Sequence, residues 1–287
     1  MEEAELIARI EHSLARRGLA TGNGILTGIG DDCAIFRPRS GEDLLFTTDQ
    51  MHHGRHFTAA TPPRHVGHTA LARSLSDIAA MGGRPLFSIV ALASNDPAWI
   101  DGFYAGLLAL ASKHHVILAG GDLASTPVPS CDVMVCGAVA RGQALLRSKA
   151  RPGDTLYVSG PLGAAALALE KGSPRLPVPQ LAFSQTLYAQ GVRCAMDLSD
   201  GLSIDLRRLC LASGVCAHLD QVPRARGASL HHALHGGEDY ALLFTARRPI
   251  PHAIPIGRIA QGQPGAVFYA GEPLPPLGWD HYHEPCT

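Results

Sequence analysis

The chain has 287 residues, 46% of them hydrophobic and 17% charged, with a formal net charge of −1. That length suits two domains, each able to bury its own core. A near-neutral balance without any run of lysines and arginines argues against nucleic acid or an anionic membrane as partner.

Seven cysteines, an odd number with no Cys-x-x-Cys pair, predict buried free thiols in a reducing cytoplasm rather than a disulfide framework or a zinc site. The acidic start Met-Glu-Glu-Ala-Glu-Leu lacks the basic-then-apolar pattern of a signal peptide. No apolar run is long enough to span a bilayer, so a cytoplasmic location is expected. The histidines have no Cys/His partners at zinc-like spacing and are expected to be scattered surface residues.

In chain order, residues 2–17 predict an amphipathic helix with Leu6, Ile7, Ile10 and Leu14 on one face. Asp43 to Asp49 predicts a strand ending at Thr47-Thr48-Asp49, and His65 to Met81 a helix stopped by Gly82-Gly83. Strands are expected at Phe87–Leu92, Val116–Ala119 and Val133–Val139, with a helix over Trp99–Lys113. Gly120-Gly121-Asp122 is then an acid presented at a strand end over a turn.

The pattern begins again after the turn Arg151-Pro-Gly-Asp154, with a strand over Thr155–Val158 and a small-residue helix over Leu162–Glu170. Gly172 to Pro179 reads as a loop. Cys194–Leu198 leads into Asp200, a helix covers Leu202–Leu211, and strands are expected at Ala241–Phe244 and Ala266–Tyr269. The tail from Glu272 is proline-rich and irregular. Two α/β units, 1–146 and 147–287, are the simplest division, with function expected in the cleft between them.

Aspartates recur beside glycine or small hydroxyl residues in five short segments: Asp31-Asp32, Asp49, Asp77, Asp122 and Asp197–Asp200. Converging carboxylates repel each other unless a cation neutralises them, and an oxygen-only donor set suits Mg²⁺, which usually shares its shell with phosphate oxygens. Asp197-Leu-Ser199-Asp200-Gly201 stands where a strand meets a helix, whose first N–H groups face an incoming anion. Helix capping would need only one of those side chains. Asp77 sits in an otherwise apolar helix, where an unpaired charge is costly and a metal or cation removes the cost. Gly236-Gly237-Glu238-Asp239-Tyr240 adds acids beside another turn, and Arg147 supplies a cation suited either to phosphate or to a surface salt bridge. Neither the P-loop nor the Gly-x-Gly-x-x-Gly pattern is present.

Taken together and in this order, the segments resemble the thiamine-monophosphate kinase family. The matching pieces are Gly28–Ala34, Thr47–Asp49, Gly54–Phe57, Leu75–Gly82, Gly120–Asp122, Arg147-Ser148, Arg151–Asp154, Asp197–Leu202 and Gly236–Tyr240. The resemblance implies an aminoimidazole ribonucleotide synthetase-like fold of two α/β domains, the N-terminal sheet forming the interface of a homodimer and the C-terminal domain completing the active-site cleft.

It implies several Mg²⁺ ions on Asp32, Thr47, Thr48, Asp49, Asp77, Asp122 and Asp197, and a further one on Asp200. Tyr104, Gly121, Asp122, Arg147 and Ser199 would contact ATP, while His56, Glu238 and Trp279 would contact thiamine monophosphate. Asp49, Asp122 and Asp200 would matter most, with direct transfer of phosphate and no phosphoenzyme. The chain departs from the family around Lys171–Thr186, which is short here. The alternatives are a sister enzyme with another acceptor, which makes an acyl-phosphate type of intermediate, and a non-catalytic nucleotide or thiamine-phosphate sensor.

Overall fold

A computed structural model describes residues 3–29 and 33–279. The chain divides into two compact units, one of residues 1–78 and 83–142, the other of residues 79–82 and 143–287.

The first unit runs α1 (Glu3–Arg17), β1 (Ile25–Thr27), β2 (Ile35–Phe36), β3 (Glu42–His52), α2 (Pro63–Ala80), β4 (Arg84–Ala93), α3 (Pro97–His114), β5 (Ile117–Ala124) and β6 (Ser130–Ala140). β1 and β2 form a small antiparallel pair, and the main sheet has the order β3-β6-β4-β5. Its strands are antiparallel except β4 and β5, which α3 connects as a parallel crossover.

Asp96 caps α3 by accepting from the Ala98 N–H at 2.9 Å, Pro97 opens the helix, and His115 closes it in the left-handed conformation. α2 lies on the sheet, where the Ser74 hydroxyl donates to the Val133 carbonyl at 2.8 Å. α2 and α3 cross closely: a Cβ at Gly67 would meet the Phe103 carbonyl oxygen at 1.9 Å, and one at Gly106 the Arg64 carbonyl oxygen at 1.8 Å. On the other face Phe36 of β2 packs on Phe87 at 5.0 Å, and among the described residues the face stays open along β3, with Phe46 64% exposed.

The second unit runs β7 (Thr155–Val158), α4 (Ala164–Glu170), α5 (Leu181–Leu187), β8 (Cys194–Asp197), α6 (Leu202–Ser213), β9 (Cys216–Leu219), α7 (Leu230–His235), β10 (Leu242–Ala246), β11 (Ile254–Ala260), β12 (Val267–Tyr269) and β13 (Glu272–Pro273). Its seven strands have the order β13-β12-β9-β11-β7-β10-β8, with only β9 and β12 parallel. One core joins Leu202, Leu206 and Leu209 of α6 and Ala233 and Leu234 of α7 to inward residues of β7, β8, β10 and β11. Tyr157 and Phe244 stack at 5.5 Å, and Phe183 of α5 packs on Phe244. Strand β10 is consequently buried at every position, as a strand covered on both faces must be.

Three sequence expectations change. Thr47-Thr48-Asp49 lies in the middle of β3, which continues to His52. Gly120-Gly121-Asp122 is part of β5, paired residue by residue with Ile89-Val90-Ala91, and is not a turn. The tail is not wholly irregular, since Glu272–Pro273 pairs with β12.

Candidate active site

Each unit carries its own set of polar groups. In the first, alternation along β3 sends Thr47 and Asp49 to the face covered by α2 and Thr48 to the open face. Asp77 on α2 accepts the Thr47 hydroxyl at 2.5 Å. The Ser74 hydroxyl, one turn earlier, shares its one proton between Val133 and Asp49, the latter at 3.0 Å, and Arg73 stands 3.5 Å from the same carboxylate. Two half-buried aspartates and a threonine thus share one patch, with a single arginine beside them. The Ser74–Asp77 spacing of three residues puts both on one helix face.

The other residues of this unit lie apart from that patch. Across the sheet, Asp122 aligns with Ala91, Asp132 and Gln50, so its side chain belongs to the open face, opposite Thr47 and Asp49. It is exposed and pairs with no cation among the described residues. Gly121 aligns instead with Val90, Val133 and Asp49, and a Cβ there would meet the Val90 carbonyl oxygen at 2.1 Å. His56 accepts the His52 N–H through Nδ1 at 3.0 Å, closing the turn after β3. Tyr104 is 7% exposed and borders a cavity that Arg9, His12, Arg16 and Asp101 also line. Burial, with Cys131 second, pushes its phenol well above the ordinary range, so it stays a protonated donor. Asp32 lies outside the described residues.

In the second unit, three segments that the sequence singled out are joined by backbone bonds. The Glu238 N–H donates to the Ser199 carbonyl at 2.8 Å, Tyr240 to Leu198 at 2.9 Å, and Trp279 to Asp200 at 2.9 Å. These contacts are tight: a Cβ at Gly237 would meet the Ser199 oxygen at 2.6 Å, and one at Gly278 the Asp200 oxygen at 2.7 Å. Glu238 and Tyr240 have φ of 65° and 50°, left-handed values that side chains seldom adopt. Ser203 adds a tie by donating to the Leu277 carbonyl at 2.8 Å, which leaves its oxygen to accept from His235 Nδ1 at 2.8 Å.

Asp197, 3% exposed, ends β8, and Asp200 follows in the loop. Asp200 pairs with Arg208, which also holds Asp205 at 2.8 Å. Asp205 reaches back from α6 to accept the N–H groups of Asp200 at 3.0 Å and Gly201 at 3.2 Å. Burial is the main reason its carboxyl is pushed up to about 6. Asp239 accepts from Gly163 at 2.5 Å and Ala165 at 3.1 Å, holding the start of α4. A concavity of about 370 Å³ beside it is lined by Glu238, Asp239, Arg175, Arg226 and Gln180.

Arg147 is placed differently. Its carbonyl accepts from Ser213 at 2.6 Å and lies 3.6 Å from the Cys194 sulfur, at the entering end of β8. Ser199 leaves the other end, about 13 Å of strand away. Sequence reading missed Arg73, Ser74, Asp205 and Arg208; the spacing of Asp205 and Arg208 was the one local signal available for the last two.

Among the described residues no three His, Cys, Asp or Glu side chains cluster at metal-binding distances. Two carboxylates and a hydroxyl on the Thr47 patch nevertheless suit Mg²⁺, which keeps waters and takes one or two protein carboxylates plus phosphate oxygens.

Residues 30–139 match the family described as AIR synthase related protein, N-terminal domain. A thiamine-monophosphate kinase of Salmonella typhimurium is 35% identical over 270 residues, covering 84% of this chain and 82% of that one. The crystal structure of thiamine-monophosphate kinase from Stenotrophomonas maltophilia K279a is 35% identical, covers 95% of this chain and 98% of its own, and superimposes with a TM-score of 0.82. The structure of AaThiL complexed with AMPPCP and TMP is 28% identical, covers 98% and 99%, and gives a TM-score of 0.78. On identity and coverage together, the chain belongs to the thiamine-monophosphate kinase family.

Proposed function

We propose that this protein transfers the γ-phosphoryl group of ATP to thiamine monophosphate, giving thiamine diphosphate and ADP. The observation that carries the reading is the Thr47–Asp49–Asp77 patch, an all-oxygen set on a rigid strand and helix, in a chain of this family. The acceptor is a phosphate oxygen, already ionised near neutral pH, so no strong general base is required. The obstacle is repulsion between two anions. Mg²⁺, when bound, would supply the positive charge that lets the two anions approach.

The remaining work falls to the chain's own groups. Asp49, Asp77 and Thr47 would hold one Mg²⁺, and Asp32, Thr48, Asp122, Asp197 and Asp200 are the candidate ligands of further ions. Gly121 and Ser199 would contact ATP through backbone and hydroxyl, Arg147 would grip phosphate and Tyr104 would donate from its phenol. His56 and Glu238 would orient thiamine monophosphate, and the Trp279 indole face would attract the cationic thiazolium. Holding the two phosphates in line supplies much of the rate.

We also infer a homodimer built on the open face of the β3-β6-β4-β5 sheet. Phe46 there is 64% exposed, and a large apolar side chain on the uncovered β3 side of the face suits a second copy. The described cysteines are all free, which fits a reducing cytoplasm, and no helix among the described residues is long and apolar enough to cross a membrane.

The test is incubation with Mg-ATP and thiamine monophosphate, followed by chromatography. Thiamine diphosphate and ADP in equal amounts are expected. ADP without thiamine diphosphate would mean another acceptor, and bound nucleotide without either product would mean a sensor.

A further inference from the structure

A second concavity of the second unit, of about 440 Å³, is lined by Lys149, Arg151, Arg193, Arg247 and Arg248, with Asp154 as its one carboxylate. It lies where β7 and β8 begin and β10 ends. The Asp197–Gly201 loop and Gly236–Tyr240 lie at the opposite ends of β8 and β10, roughly 13 Å away along the strands.

Asp154 does not neutralise the pocket. It is 6% exposed, and its oxygens accept the Arg151 N–H at 2.9 Å, the Thr245 hydroxyl at 3.1 Å and Arg247 Nε at 3.2 Å. That carboxylate is spent on tying the turn before β7 to the end of β10, and it offsets Arg247 alone. Lys149, Arg151 and Arg248 are exposed and have no ion pair among the described residues. Arg193 is fixed in place: its guanidinium lies 3.7 Å over the Tyr188 ring, and Nη1 donates to the carbonyls of Tyr188 at 2.8 Å and Val192 at 2.7 Å. Its other nitrogens remain for a ligand, in a fork already oriented.

Four cations without a carboxylate of their own, around one concavity of ligand size, repel each other unless an anion is present. The whole chain is slightly acidic, so this is a local feature and not part of a basic surface. We propose that this pocket is a binding site for a small di- or triphosphate, distinct from the Asp49 and Asp200 groups. Concavity and limited extent favour a compact polyanion over a nucleic-acid backbone, which needs a stripe of phosphate contacts. The inference stands whether or not the chain is a kinase.

The test is calorimetric titration of the full chain with inorganic pyrophosphate in EDTA, so that no divalent metal recruits the anion elsewhere. Saturable binding is expected, weakened about tenfold or more by Arg151→Gln with Arg248→Gln, since each arginine removed costs charge-assisted bonds. Lys149→Gln should weaken it further. Both arginines are exposed, so folding should be retained, and a thermal melt checks this. Asp49→Asn and Asp200→Asn should leave the affinity unchanged. Absence of saturable binding, binding indifferent to the arginine pair, or binding that follows the aspartates would each overturn the proposal. So would a single-stranded oligonucleotide that binds more tightly than pyrophosphate through the same arginines.

Discussion

Asp49 accepts from the Ser74 hydroxyl and stands near Arg73, so its charge is supported on two sides, while the Asp77 carboxylate on the same patch opposes it. Asp49→Asn keeps the shape and one acceptor for Ser74, and the melting temperature should move by only a few degrees. Turnover should fall about a hundredfold or more, because a neutral amide is a poor ligand for a hard cation. Full activity in the folded variant would remove the metal role given to Asp49. Asp205 acts through other residues. Its buried carboxylate holds the backbone of Asp200 and Gly201 and shares Arg208 with Asp200. Asp205→Asn cannot satisfy both N–H groups and the guanidinium, and it should cost about 2 kcal/mol in urea unfolding. Since the loop it holds carries Ser199, the KM for ATP should rise by a larger factor than kcat falls.

At the scale of elements, the longer helices and strands follow from periodicity, short ones such as α5, β9, α7 and β11 are not marked by it, and the two misplaced boundaries fall where polar residues or glycines interrupt it. Hydrophobic alternation ends β3 at Asp49 because the covered face turns from Leu45 to Thr47 and Asp49, which alternation does not mark. The same face turns apolar again at Met51, which is 2% exposed. The patch was therefore legible as motifs but not as strand, and Arg73 and Ser74 joined it only once α2 was laid on the sheet. Gly120-Gly121-Asp122 misled differently, since two glycines usually punctuate a chain. Here they continue a parallel strand past a register shift, and only the second touches its neighbour. Gly120→Ala meets nothing within 4 Å, whereas a Cβ at Gly121 meets the Val90 oxygen at 2.1 Å. Gly120→Ala should leave stability within about 1 kcal/mol, and Gly121→Ala should cost about 3 kcal/mol through strand displacement. Equal effects of the two in urea melts would contradict the strand assignment.

For the whole molecule, association and alkaline stability are the properties the fold constrains. If the open sheet face meets a second copy, Phe46→Asp places a charge in an apolar contact and should give a monomer by light scattering at micromolar concentration. A dimer that survives this change would have to use another surface. The thiols bear on pH. Cys131, Cys194 and Cys210 are pushed up to about 12, in each case chiefly by burial. A group whose folded pKa exceeds its unfolded value contributes stability that is complete below the unfolded value, here 9.0, and is lost as pH rises through the folded one. Stability should therefore be insensitive to these groups up to about pH 9 and decline between about 9 and 12. For Cys210 the loss at pH 10.5 is about 2 kcal/mol, from the 1.4 kcal/mol carried by each pH unit above the unfolded value. Other groups also titrate in that range, so the comparison is between wild type and Cys210→Val, which keeps an apolar side chain of similar size. The variant should lose less stability than wild type between pH 8 and 10.5, in denaturant melts run with a reducing agent. Parallel losses in the two proteins would mean that this thiol ionises in the folded state as readily as in the unfolded one, against its burial in the α6 core.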